Sequence, residues 1–157
     1  MNRLILSIAL CIFCLTGVAQ DLTYTITGAG QSNSGNYLVS VKVNTKKKVT
    51  TSAENLALMY AVHGVMFKGV MSETGYDNQK PLISDPNIEQ TKADFFNAFF
   101  NEGKYRTYAS LVPSTLSIVK NKQTKCTETM AMVIVDKESL QHYLEKSGIV
   151  QGFSNLW

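Results

Sequence analysis

The stretch AENLALMYAVHGVMFKG, residues 53–69, is apolar on nearly every side when wound at about 100° per residue, yet it carries a histidine at its middle. Leu56, Tyr60, His63, Phe67 and Val70 fall on one stripe. Ala53, Ala57, Ala61 and Gly64 form a neighbouring stripe of small side chains, and Leu58, Val62 and Val65 lie opposite. Thr51, with Glu54 three residues on, has the form of a capping box, and Gly69 offers a stop. A surface helix needs only one apolar stripe, whereas a helix apolar on two sides is enclosed. The stretch therefore predicts a helix pressed onto a sheet through its small residues and covered on its far side by a further layer or a second subunit.

The flanking sequence supplies both. Upstream, DLTYTIT alternates polar and apolar residues, GAGQSNSGN breaks the pattern, and YLVSVKVNT resumes it with Tyr37, Val39, Val41 and Val43 on one face. Two strands joined by a glycine-rich connection are expected. Downstream, a polar stretch over residues 71–87 carries Gly75, Pro81 and Pro86 and is long enough to suggest either a binding loop or a mobile connection. Asp85 and Pro86 are placed to open a helix in which Phe95, Phe96, Phe99 and Phe100 recur at helical spacing up to Gly103, and these phenylalanines are expected to cover the first helix.

Residues 104–135 read as strand almost throughout, broken at Pro113 and at the turn KNKQ. In the last of these strands Thr127, Thr129, Ala131, Val133 and Val135 share one face, and Cys126, Met130, Met132 and Ile134 the other. Asp136 then caps a helix whose Leu140, Tyr143 and Leu144 point inward, with Gly148 as its stop. Strands grouped apart from helices indicate an α+β fold: an antiparallel sheet of four to five strands with two or three helices packed mainly on one face.

Composition narrows the setting. Arg3 precedes an apolar run over residues 4–15, followed by Thr16, Gly17, Val18 and Ala19, which has the form of a secretory signal peptide over residues 1–19, with cleavage expected near Ala19. Residues 20–157 then form a single α+β domain, secreted or periplasmic. No transmembrane span is expected in this mature chain, since no other apolar run approaches the roughly 20 residues that a bilayer demands. Loss of Arg3 takes the formal charge from +3 to +2, a balance that predicts no nucleic-acid partner. Cys11 and Cys14 leave with the leader, so Cys126 has no intramolecular disulfide partner and stability must come from packing. Lys46, Lys47 and Lys48 read as a solvated strand end.

The usual equipment for catalysis is missing. Glu138, His142 and Glu145 share a helix face, but it is the polar face opposite Leu140 and Leu144, and no metal ligand or cofactor is assigned. There is no G-x-S-x-G elbow, and the GAG at Gly28 runs into a strand rather than a helix, so no phosphate cradle forms. Cys126 lacks a recognisable base and reads as a partly buried, inert thiol. His63, between Tyr60 and Phe67, reads first as a core histidine with its ring nitrogens satisfied. The expectation is a small secreted or periplasmic binding or assembly protein without catalytic activity, engaging a protein partner or itself. The alternative is a small-molecule-binding or hydrolytic protein with a pocket between the phenylalanine-rich helix and the sheet. His63, Tyr60, Tyr76, Phe96 and Phe100 are the candidate binding residues; no catalytic residue is assigned.

Overall fold

A computed structural model describes residues 22–31, 36–46, 50–72 and 78–151. The leader, Tyr76 and the terminal aromatic residues Phe153 and Trp157 lie outside this set. The chain order is β1 (Leu22–Gln31), β2 (Tyr37–Thr45), α1 (Ala53–Phe67), a short α2 (Ile88–Thr91), α3 (Ala93–Asn101), a 3-10 turn (Lys104–Thr107), β3 (Ala109–Leu111), β4 (Ser117–Asn121), β5 (Cys126–Val135) and α4 (Lys137–Lys146). The fold is α+β with a five-stranded antiparallel sheet.

The period-two pattern sets the sheet. Tyr37, Val39, Val41 and Val43 of β2 are buried, and across the register they meet Val135, Val133, Ala131 and Thr129 of β5, which are buried too. Met130, Met132 and Ile134 on the opposite face of β5 are half-buried. The strand order is β1-β2-β5-β3; β4 joins the same side of β5 as β3, pairing with its first half while β3 pairs with its last residues. β1 shifts register between Gly28 and Gly30, a bulge where the main chain of Met71 comes alongside.

α1 packs against β2 and β5 and buries Leu56, Ala57, Leu58, Ala61, Val62, Gly64, Val65 and Met66, which occupy most of its circumference. Its small stripe does what the sequence suggests: a methyl group added at Gly64 would stand 2.4 Å from Ile26 of β1. Covering on the far side comes from α3, where Phe96 lies 5.2 Å from Phe67, and from the chain after the loop. There the amides of Leu82 and Ile83 donate to the carbonyls of Val65 and Met66, which the helix end would otherwise leave unpartnered.

Three local expectations are corrected. The cap of α1 is Ser52, whose hydroxyl accepts from the Asn55 amide at 3.2 Å, so helix entry falls one residue past Thr51. Asp85 caps a turn rather than a helix: its carboxylate accepts from Asn87, and the helical chain starts at Ile88, breaks at Lys92 and resumes as α3. Residues 104–107 form a 3-10 turn instead of a strand because Gly103, at φ 74°, reverses the chain and Tyr105 must turn into the core, where it is 2% exposed. α4 follows expectation, with Asp136 accepting from Ser139 at its start, Leu140 and Leu144 fully buried and Gly148 at φ 69°.

Candidate functional site

β1, α1 and α2 converge on His63. The outward stagger of β1 puts Thr23, Thr25 and Thr27 in solvent and turns Tyr24 and Ile26 toward α1. Tyr24 Oη lies 2.6 Å from His63 Nδ1, and His63 Nε2 lies 3.2 Å from Glu89 Oε1 at the start of α2. Burial pushes the Tyr24 hydroxyl far above the ordinary tyrosine value, and the nearby Glu89 carboxylate and Tyr60 push it further, so Tyr24 stays protonated and is a donor. The proton positions follow from the partners: Tyr24 O–H donates to Nδ1, and Nε2–H donates to the Glu89 carboxylate.

The surroundings hold the imidazole neutral. Burial lowers its pKa most, the Glu89 charge and hydrogen bond oppose that, and the Lys68 ammonium lowers it again, with a net fall below the usual histidine value. Phe67 and Phe100 flank the ring with centroids at 4.7 and 5.6 Å, and Tyr60 stands at 6.2 Å. Enclosure is incomplete, since the His63 side chain retains 21% of its exposure and that of Glu89 46%. Lys68, one turn beyond His63, places its ammonium 3.5 Å over the Tyr24 ring and donates to the Tyr24 carbonyl at 3.1 Å. Burial lowers the Lys68 pKa.

Among the residues singled out from the sequence, the fold brings His63, Tyr60 and Phe100 together. Phe96 is 2% exposed, with its ring against Phe67, so it belongs to the packed interior. Tyr76 lies outside the described residues. Tyr24, Glu89 and Lys68 complete the cluster without having been singled out. Alternation in β1 marks Tyr24 as facing the same way as Ile26, but its meeting with His63 spans 39 residues and that of Glu89 spans 26, distances at which spacing carries no signal.

Other groups with chemical potential lie away from this cluster. Cys126 is half-buried, and its thiol donates to the Thr124 carbonyl. Glu138 and His142 are exposed on α4, while Glu145 accepts from Gln141. A shallow cavity of about 170 Å³, lined by Asn36, Arg106, Tyr108, Ser110 and Asp136 among others, opens near the start of β2, the opposite end of the sheet from Tyr24 and His63. No helix among the described residues is long and apolar enough to cross a membrane. No protein-family model, curated protein or solved structure matches this chain.

Proposed function

We propose that this protein is a non-catalytic binding or assembly protein that works outside the cytoplasm, engaging a protein partner. The observation that carries the reading is the use of both nitrogens of His63. Hydroxyl, imidazole and carboxylate stand in the order of a nucleophile, its base and an orienting acid, but burial raises the Tyr24 hydroxyl and lowers the His63 imidazole, so the proton stays on Tyr24 and the three groups form a fixed hydrogen-bonded chain. The arrangement ties a strand and two helices into one polar joint, which is a structural use of groups that would otherwise be the best candidates for chemistry. The leader-like sequence over residues 1–19 supports an extracytoplasmic site of action.

The test is cross-linking in cells of the tagged chain under native expression, followed by mass spectrometry of what is captured. One recurrent protein, or the chain itself in a fixed multiple, is the expected result. A folded, monomeric protein that captures nothing overturns the reading. A second reading, a small-molecule or hydrolytic site at the same cluster, is favoured by the exposure that His63 and Glu89 retain. It requires that a ligand or substrate displace one of the two hydrogen bonds, so His63→Gln abolishes ligand binding or turnover in that case and leaves partner capture intact in the other.

A further inference from the structure

The two edges of the sheet are finished differently. β1 is closed at two points along its outer side: the Gly28 amide donates to the Met71 carbonyl, and the Tyr24 carbonyl accepts from Lys68 Nζ. Main-chain groups of alternate residues point to the same side of a strand, so Tyr24, Ile26 and Gly28 are the outward set, and plugs stand at both ends of it. Open edges invite pairing with other chains, and such plugs block it.

Among the described residues, β4 is bare by comparison. It pairs with β5 along one side, all five of its residues are exposed, and two of the large exposed hydrophobic residues of the described chain, Ile118 and Val119, stand next to each other on it. Its outward groups can be assigned. The Met132 carbonyl accepts from Val112 and the Met132 amide donates to Thr115, so even-numbered residues of β5 turn their main chain toward β3 and β4. Ser117, Val119 and Asn121 oppose Met130, Glu128 and Cys126 and therefore bond inward, which leaves the amides and carbonyls of Ile118 and Lys120 pointing out. Charge surrounds this strand. Lys120, Lys122 and Lys125 are exposed on the hairpin, and the register that sets Thr45 against Thr127 brings exposed Lys46 to the same end of the sheet. The acidic residue of β5 at that end, Glu128, is already paired with Lys42 at 2.6 Å.

We propose that β4 is a docking strand for an extended, acidic segment of another protein, which adds to the sheet as a further strand. Main-chain bonds to Ile118 and Lys120 supply the pairing, Ile118 and Val119 offer one apolar contact on each face, and the lysines select carboxylates near the turn. A second copy of this chain is a poorer occupant, because it would bring exposed lysines against exposed lysines and no opposite charge. The inference rests on the binding reading above and gives it a partner chemistry.

The test uses the folded chain and a fluorescent synthetic peptide with a central Val-Ile pair flanked by glutamates, followed by anisotropy. Binding is expected to weaken as salt rises. It should be lost when alternate peptide amides are N-methylated, and fall by about tenfold or more in Lys120→Glu/Lys122→Glu/Lys125→Glu, whose exposed positions leave the fold intact. No binding by the folded protein, equal binding of the N-methylated peptide, or equal binding of a lysine-flanked peptide each overturns the proposal. So does binding to phosphatidylglycerol vesicles without binding to the peptide, which assigns the surface to a membrane. In cells, a recurrent partner still captured by the triple variant overturns the docking strand and leaves the binding reading standing; capture of nothing by the unaltered chain, with the peptide bound in vitro, does the reverse.

Discussion

Protonating His63 turns an acceptor into a donor at the nitrogen that receives the Tyr24 hydrogen, so the hydroxyl must rotate and accept instead. The new charge would stand among Phe67, Phe100 and Tyr60, with the Lys68 ammonium nearby and only Glu89 to welcome it. Because the folded-state pKa is depressed, the unfolded chain holds a proton that the folded chain lacks over the interval between that depressed value and about pH 6.5. Stability therefore rises with pH across that interval. It is expected to be fully present above about pH 6.5, to decline as the pH falls through the folded-state pKa, and to level off below it. Urea unfolding at a series of pH values, on the natural chain and on His63→Gln, measures the term as the difference between two curves. Curves that stay parallel from neutral pH downward would remove His63 as the source.

Glycines at the ends of α1 and α4 separate two costs that are usually mixed. Gly69 and Gly148 sit at φ 74° and 69°, so a side chain at either pays for the left-handed conformation, about 1–2 kcal/mol. At Gly148 an added methyl group meets nothing, whereas at Gly69 it would stand 2.3 Å from the Gln79 carbonyl oxygen and 2.9 Å from the Pro81 nitrogen. Main chain cannot swing aside as a side-chain tip can, and the same segment supplies the amides of Leu82 and Ile83 that finish α1. Gly69→Ala is thus expected to lower stability by clearly more than Gly148→Ala, with a gap of at least about 1 kcal/mol in denaturant midpoints converted at a common slope. Equal losses would show that the chain at 79–81 yields freely. Periodicity reveals such helix ends well, since Gly69, Asp136 and Gly148 all stop or start helices where the sequence suggests. It reveals less where a local choice is settled by distant packing. Thr51 and Ser52 are both good caps, and only the bond to Asn55 selects Ser52. KYRT carries strand-forming residues, yet Gly103 turns the chain and burial of Tyr105 fixes a 3-10 turn. Tyr24 and Glu89 reach His63 only through the pairing of β1 with β2 and the return of the chain after the long loop.

One apolar cluster runs from the sheet through α1 to the aromatic layer of α3 and α4, and Phe99 stands at the join. Its ring is fully buried, stacks at 5.7 Å on Tyr143 of α4 and at 6.1 Å on Tyr108 just before β3, and meets Phe100 edge-on at 5.1 Å. The antiparallel sheet and the helix that packs on it, α1, are legible from alternation and stripes. That the phenylalanines of α3 would recruit tyrosines from the 3-10 turn region and from α4 is not, because each of those tyrosines sits in a segment whose own pattern accounts for it. Continuity of this cluster has a consequence for unfolding. A layer sharing its largest side chains with the next has no plane along which to separate, so loss of helix and loss of aromatic packing should occur together. Thermal melts followed by far-ultraviolet and near-ultraviolet circular dichroism are expected to coincide. Phe99→Ala, which empties the join, should cost about 3–5 kcal/mol, a large share of the stability of a domain this size. If that variant does not fold, Phe99→Leu retains most of the volume and should fold with a smaller loss, its two melts still superimposed. Two separate transitions in the natural chain, or a Phe99→Ala variant that lowers only the near-ultraviolet midpoint, would mean that α3 and α4 form a layer able to leave the sheet by itself.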